Sequence, residues 1–193
     1  MIKLPLLTKT KASHTTEMLD VVTRSQEGDQ EAFHHLFRRY SKPVLSFIYN
    51  MVGQESLSEE LTQETFVRAY RNLKNLKDTS KFSSWLFGIA KNTVRENLKE
   101  NVNNHYIDLS EVSLETLETP DKKMMNVELN DAIEQAVLEL NEDWRIVFVL
   151  KMFQQKSYEE IAEITGYSIG KIKTDLHRAR LEVKNKLQNY LAK

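Results

Sequence analysis

Apolar residues recur every three or four positions along almost this entire chain, and residues that would interrupt the pattern are scarce. Five Gly and three Pro in 193 residues leave room for few turns, so long helices are favoured over many short strands. A first helix is expected from about Thr16 to Glu27, ending at Gly28. Asp29 can cap the next helix by accepting from free N–H groups of its first turn. That helix carries Phe33, Leu36 and Phe37 and runs past Pro43 to Val52, with Gly53 ending it. Ser56 and Glu59 have capping-box spacing for a third helix with Leu57, Leu61, Ala69 and Leu73 on its inner face. A loop at Lys77–Ser80 precedes a fourth helix over about Lys81–Glu100.

The character then changes. Glu100 to Thr119 holds five acids (Glu100, Asp108, Glu111, Glu115, Glu118) and no Lys or Arg, and Pro120 closes the stretch. Such a segment reads as an acidic, flexible linker. Helical periodicity resumes near Asn126 and continues through Leu150, with further helices at Tyr158–Ile164 and Ser168–Leu191. The expected fold is all-α: two small helical domains joined by a flexible linker. The boundaries are a flexible arm over 1–14, a first domain over 15–100, the linker over 101–125 and a second domain over 126–193.

Bulk properties exclude several classes. The chain has no Cys, hence no disulfide framework and no thiolate metal site. No stretch has the length of a membrane span, so no membrane insertion is expected, and the absence of Cys fits a reducing cytoplasm. Leu4–Leu7 is too short and Pro-broken to be a signal-peptide core. With a net charge of -1 the whole molecule is not a general polyanion binder. Any contact with nucleic acid must use cations gathered on faces. His34 and His35 diverge by 100° on a helix and cannot readily chelate one metal together. No phosphate loop, nucleophile motif or paired-carboxylate site stands out. No enzymatic activity, cofactor or metal is expected.

Two faces gather the cations. In the last helix Ile169, Ile172, Leu176, Ala179 and Val183 form an inner stripe, with Gly166 turning the chain and Ser168 as cap. Lys171, Thr174, His177 and Arg178 point away from that stripe and Lys173 flanks it. Six Lys or Arg against two acids between Ser168 and Tyr190 give a local balance of +4. This is the composition of a helix-turn-helix that enters a major groove. In the fourth helix Phe82, Trp85, Leu86, Ile89, Ala90 and Thr93 share one side, and Ser84, Gly88, Lys91, Asn92, Arg95 and Lys99 share the other. Arg68, Arg71, Lys74, Lys77 and Lys81 add charge upstream. A cationic stripe of this kind can follow a phosphate backbone, and aromatics beside it can support an unstacked base. The start of the third helix, with Glu55, Glu59, Glu60 and Glu64 around Leu61, Gln63 and Phe66, would repel phosphate and reads as a protein-docking surface.

These blocks together resemble the sigma-70 family, specifically its minimal extracytoplasmic-function (ECF) group, over about Thr16 to Leu187. Glu60 to Tyr70 looks like the family's polymerase-binding helix, and Phe82 to Asn92 like its promoter-melting helix. Leu140 to Arg145, Ser157 to Ala162, Gly170 and His177 to Arg180 follow its helix-turn-helix region. The resemblance implies an RNA polymerase sigma factor that directs core polymerase to promoters and assists their melting. Glu60, Leu61, Gln63, Glu64 and Phe66 would dock on the β′ clamp helices, and the β flap would be a further polymerase contact. Arg71, Lys77, Lys81, Phe82, Trp85, Lys91, Asn92, Arg95 and Lys99 would serve the minus-ten element. Lys171, Lys173, Thr174, His177 and Arg178 would serve the minus-thirty-five element. The linker would thread toward the RNA exit path, and an anti-sigma factor is an implied partner. The other interpretation is a stand-alone helix-turn-helix regulator. Lys171 stands where the family usually has Thr, Asp175 replaces a usual Arg, and Glu96 and Lys99 replace a usual Asp and Arg. Asp175 is expected to oppose phosphate.

Overall fold

The computed structural model describes the backbone of residues 8–104 and 123–191, and side chains over 17–100 and 129–188. The described residues form eight α-helices: α1 (Thr8–Gln26), α2 (Gln30–Val52), α3 (Glu55–Asn72), α4 (Phe82–Asn104), α5 (Lys123–Leu138), α6 (Glu142–Met152), α7 (Tyr158–Thr165) and α8 (Ile169–Leu191). The centre of the expected linker, 105–122, and the first seven residues of the expected arm lie outside the described residues.

Local chemistry explains most helix ends. Asp29 caps α2, its Oδ1 accepting from Ala32 N–H at 3.0 Å. Ser157 and Glu160 form the reciprocal capping box of α7. Gly53 and Gly166 end α2 and α7 with φ of 73° and 77°, the left-handed region where a Cβ is costly. Three expectations need correction. The first helix begins at Thr8, within the segment assigned to the arm. The capping box expected at Ser56 and Glu59 is not formed; Gln54 is the N-cap of α3 and makes no side-chain cap bond. The Leu129–Leu150 periodicity is carried by two helices, and Asn141 between them caps α6 by accepting from Trp144 N–H at 3.0 Å. Lys81 belongs to a short 3-10 turn, Thr79–Lys81, that precedes α4.

The first group, α1 to α4, packs around α2, the helix with apolar residues on several sides. Leu36, Val44, Phe47, Ile48 and Met51 of α2 are buried, with Leu61, Phe66 and Ala69 of α3 and Leu86, Phe87 and Ala90 of α4. Pro43 is accommodated inside α2. Gln26 of α1 donates to the carbonyls of Leu73 and Leu76, at 2.9 and 2.7 Å, and so fixes the turn that leads to α4. The second group, α5 to α8, buries Val137, Ile146, Val147, Leu150, Ile161, Ile172, Leu176 and Ala179. Ile169, expected on the inner stripe of α8, is instead exposed, as is Phe37 of α2.

The two expected helical groups are both present, and in this structure they pack against each other. Their buried side chains form one continuous apolar cluster. Helix α2 packs on α5 and α6, and α4 packs on α7. Gly53 is part of the junction: a Cβ there would meet Leu138 Cδ1 at 2.6 Å. Arg145 reaches across from α6 and donates to Met51 O at 2.6 Å, while also donating to Leu140 O at 2.8 Å. Burial pushes its guanidinium below the ordinary arginine range.

Candidate nucleic-acid interface

The face of α8 is open. Helix α7 ends at Gly166, whose N–H donates to Ala162 O at 2.8 Å, and Ser168 Oγ accepts from Lys171 N–H at 3.2 Å as α8 begins. Ile172, Leu176, Ala179 and Val183 turn inward. Lys173, Thr174, His177 and Arg178 are exposed on the opposite side. Aromatic rings lie against two of the cations: Lys173 Nζ is 5.6 Å from the Tyr158 ring centre, and the Arg178 guanidinium 6.0 Å from that of Trp144. These rings were not among the expected site residues.

Lys171 differs from its neighbours. Its ammonium is 4.2 Å from the Tyr167 ring centre and 3.1 Å from Asp143 Oδ2, and it pairs with Asp175. The Asp175 bond, followed by Asp143, holds the Lys171 ammonium above the ordinary lysine range. Asp175 is only 5% exposed. The expectation that it opposes phosphate from the DNA-facing side is therefore corrected: its carboxylate is turned inward onto Lys171. The two departures from the family pattern compensate each other by a bond one helical turn apart.

The cationic stripe of α4 is partly covered, at Ser84, Gly88, Lys91 and Arg95. Helix α7 lies along it, and Ser84, on the polar side of α4, is buried. Lys91 Nζ donates to Ile164 O at 3.1 Å. Burial, aided by the nearby charge of Arg95, lowers its ammonium below the usual lysine range. Arg95 pairs with Glu142 through Nε, and its Nη2 lies 2.9 Å from Asp143 Oδ1 and 2.8 Å from Tyr167 Oη. Burial works against this guanidinium, but its bonds to Glu142 and Tyr167 outweigh that and raise it. Tyr167 also donates to Asp143 Oδ1 at 2.5 Å, which with Lys171 holds the Asp143 carboxyl below the usual range despite burial. Lys81 pairs with Glu163 at 2.7 Å, and Lys156 Nζ is 2.7 Å from Ser83 Oγ.

The remaining expected residues divide. Asn92, Lys99, Arg71 and Lys77 are exposed. Phe82 is 3% exposed, edge-on to Tyr40 at 5.3 Å, and therefore belongs to the core rather than to an open aromatic platform. Trp85 is half-buried, tilted against Phe82 at 5.9 Å. The loop before α4 is shaped by Asp78, whose Oδ1 accepts from Ser80 N–H at 3.0 Å and from the Ser80 hydroxyl at 2.5 Å.

On α3, Glu60 and Gln63 are exposed and Glu64 is half-buried beside Arg68 at 2.7 Å. Leu61 and Phe66 are buried, so they shape the surface from beneath instead of forming it. The exposed apolar atoms belong to Phe37, Val67 and Tyr70, the last 51% exposed. They line a groove of ≈ 570 Å³ with Phe33, Gln63, Phe66 and Arg71. Edge-to-face contacts, Phe33 to Tyr70 at 4.9 Å and Phe37 to Phe66 at 4.8 Å, hold its walls. Sequence periodicity alone places Phe37 inside, because α2 is apolar on several sides and its one uncovered edge is fixed only by packing.

Among the described residues no helix is long and apolar enough to cross a membrane, and no group of three or more His, Cys, Asp or Glu could hold a metal.

Comparison with known proteins places this architecture. Sigma-70 region 2 matches residues 36–103, and Sigma-70, region 4 matches residues 130–183. The chain is 30% identical to the ECF RNA polymerase sigma factor SigW of Bacillus subtilis, over 87% of this chain and 95% of that one. It is 32% identical to the ECF RNA polymerase sigma-E factor of Escherichia coli, over 87% and 93%. Among solved structures, CnrH in complex with the cytosolic domain of CnrY has a similar fold, with a TM-score of 0.68 at 21% identity, covering 89% of this chain and 97% of that one. The sigma factor RpoE of Bartonella quintana, in complex with the anti-sigma factor NepR, gives 0.64 at 22% identity, covering 81% and 96%. Two region matches in the right order, each on one of the two helical groups, show that the chain belongs to the sigma-70 family and is an RNA polymerase sigma factor of the ECF type.

Proposed function

We propose that this sigma factor divides promoter contact between α8 and α4 and polymerase contact between the α3 surface and the second helical group. The observation that carries the assignment is the outward set Lys173, Thr174, His177 and Arg178 on a helix whose opposite stripe is buried. Such a helix enters the major groove of the minus-thirty-five element, with Lys and Arg reaching guanine edges or phosphates. Lys171, tied to Asp143 and Asp175, contributes only if those bonds exchange.

Helix α4 with Arg71, Lys77 and Lys81 serves the minus-ten element, where Lys91, Asn92, Arg95 and Lys99 track the backbone. Trp85 is the aromatic available beside an unstacked base, while Phe82 supports it from within. The groove between α2 and α3, rimmed by Glu60, Gln63 and Glu64, docks on the β′ clamp helices; the second group meets the β flap. The boundaries 15–100 and 126–193 separate these tasks, with 101–125 as the tether. The chain supplies no catalytic chemistry of its own and works where the polymerase works, in the cytoplasm. An anti-sigma factor is a fitting partner, since two proteins of similar fold are complexed with such partners or with a partner's cytosolic domain. A stand-alone regulator would use α8 but leave the α2–α3 groove and the α4 stripe without a task.

Run-off transcription from a promoter library with purified core polymerase tests the assignment. The wild-type chain is expected to confer initiation at specific promoters. Lys173→Ala with Arg178→Ala should weaken use of the upstream element and lower the slope of log affinity against log salt by about 1 for each phosphate no longer neutralised. An unaltered slope removes both residues from the interface.

A further inference from the structure

Lys171 opens the outward face of α8 but is not arranged like the rest of it. Its ammonium is 3.1 Å from Asp143 Oδ2 and pairs with Asp175, and the Tyr167 ring centre lies 4.2 Å away. Lys173 and Arg178 lie against rings instead, at 5.6 and 6.0 Å, and both are exposed. The partners of Lys171 come from three places: Asp143 from the first turn of α6, Tyr167 from the turn between α7 and α8, and Asp175 from one turn further along α8. Neither acid can follow the lysine outward, because Tyr167 Oη holds Asp143 at 2.5 Å and Asp175 is buried. Moving the ammonium into a groove would leave Asp175 charged, buried and unpaired, which is costly. One ammonium shared by two carboxylates also brings no net positive charge to this turn, so a phosphate or a guanine edge gains nothing there. All four residues belong to the second helical group, so their arrangement does not depend on how the two groups meet.

We propose that Asp175 and Asp143 are specificity-determining positioning residues, which withdraw Lys171 from the set that reads the minus-thirty-five element and make it a strut between α6 and α8. This rests on the assignment of α8 to that element. The reading set is then Lys173, Thr174, His177 and Arg178, and the base pairs opposite the first turn of α8 go unselected by Lys171. The strut ties the start of the recognition helix to α6 and so fixes the angle at which α8 is presented.

The test acetylates lysines with an N-hydroxysuccinimide ester in the full chain bound to core polymerase. It is run with and without a promoter from which that holoenzyme initiates, and each site is read by mass spectrometry. In wild type the promoter is expected to protect Lys173 and to leave the slow acetylation of Lys171 unchanged. Asp175 is the residue varied, because Asp143 also serves Tyr167 and Arg95. In Asp175→Asn, which keeps side-chain shape and removes the charge, Lys171 should react faster and become protected by the promoter. That holoenzyme should bind the promoter about threefold more tightly, with a salt slope steeper by about 1 for the phosphate gained. A loss of packing alone would weaken binding and leave the slope unchanged. Adding Lys171→Thr to Asp175→Asn should abolish the gain. Promoter protection of Lys171 in wild type equal to that of Lys173 overturns the proposal while leaving the α8 assignment standing, and this measurement decides even where the variant fails to fold. The proposal also falls if the promoter leaves Lys171 unprotected in Asp175→Asn chain shown by circular dichroism to be folded, or if the gain survives Lys171→Thr. Absence of protection at both Lys171 and Lys173 in wild type overturns the α8 assignment and this inference with it.

Discussion

Helices α4 and α8 begin from similar sequence logic and end in opposite situations. Both are 23 residues long, both carry an apolar stripe, and both put Lys and Arg on the other side. On α8 the cationic side faces outward, and the acid within it, Asp175, is folded back onto Lys171. On α4 part of the cationic side faces a second protein surface: Lys91 and Arg95, with Lys81 just before the helix, are matched with acids or a carbonyl from α6 and α7, while Lys99 stays exposed. Amphipathicity thus identifies a face that is not apolar; it does not say whether that face meets water, nucleic acid or another part of the same chain.

The largest effect would show whether the two groups melt together. Phe87 of α4 is buried at their junction, 5.6 Å from the Phe47 ring centre and with Lys156 Nζ of the second group 5.2 Å from its own ring centre. Phe87→Ala should cost about 3–5 kcal/mol. Thermal unfolding followed by fluorescence of Trp85 and Trp144, one in each group, should show both signals shifting together. A shift confined to the first group would mean that the groups are thermodynamically independent and that the covering of α4 is weak.

A smaller effect is expected from acid. Asp143 and Glu160 are held below the usual carboxylate range, Asp143 foremost by Tyr167, and Glu160, against the opposing effect of its burial, by Lys156 and the Ser157 N–H. Groups lowered on folding contribute stability that is complete above their unfolded values. That contribution is lost as pH falls through the lowered folded values, so the contact between α4 and the second group should loosen below about pH 4. Scattering or hydrogen exchange along α4 would register this, and Asp143→Asn should flatten the response. The same response in the Asp143→Asn chain would assign the loosening to other carboxylates.

The smallest effect concerns α7, the helix that covers α4. Ser157→Ala removes the cap on Glu160 N–H and should cost about 1 kcal/mol by denaturant unfolding. Opening of the α4 face should follow if α7 is what closes it. A stability loss with no added exchange in α4 would separate the helix from the closure.

Much of the fold is legible from the residues in order. Gly28, Gly53 and Gly166 mark helix ends because a positive φ is needed there, and they sit at φ of 102°, 73° and 77°. Asp29 and Ser157 act as caps because their oxygens reach N–H groups three residues on. The Ser56–Glu59 cap does not form because α3 starts earlier, at Glu55. Within the candidate sites, the outward set of α8 follows from a 3.6-residue period. Resemblance assigns Phe82, Leu61 and Phe66 to surfaces, yet their side chains fill the core beneath those surfaces.

Local order in the chain therefore determined the helices, the two region blocks and the face on which each cation lies, because caps, periodicity and turn glycines act over a few residues. Only tertiary structure decided which face is covered. The bonds that close α4 join residues more than 45 positions apart, such as Arg95 with Glu142 and Lys91 with Ile164. Periodicity carries no information about partners at that separation; packing of α7 on α4 and of α5 and α6 on α2 supplies it.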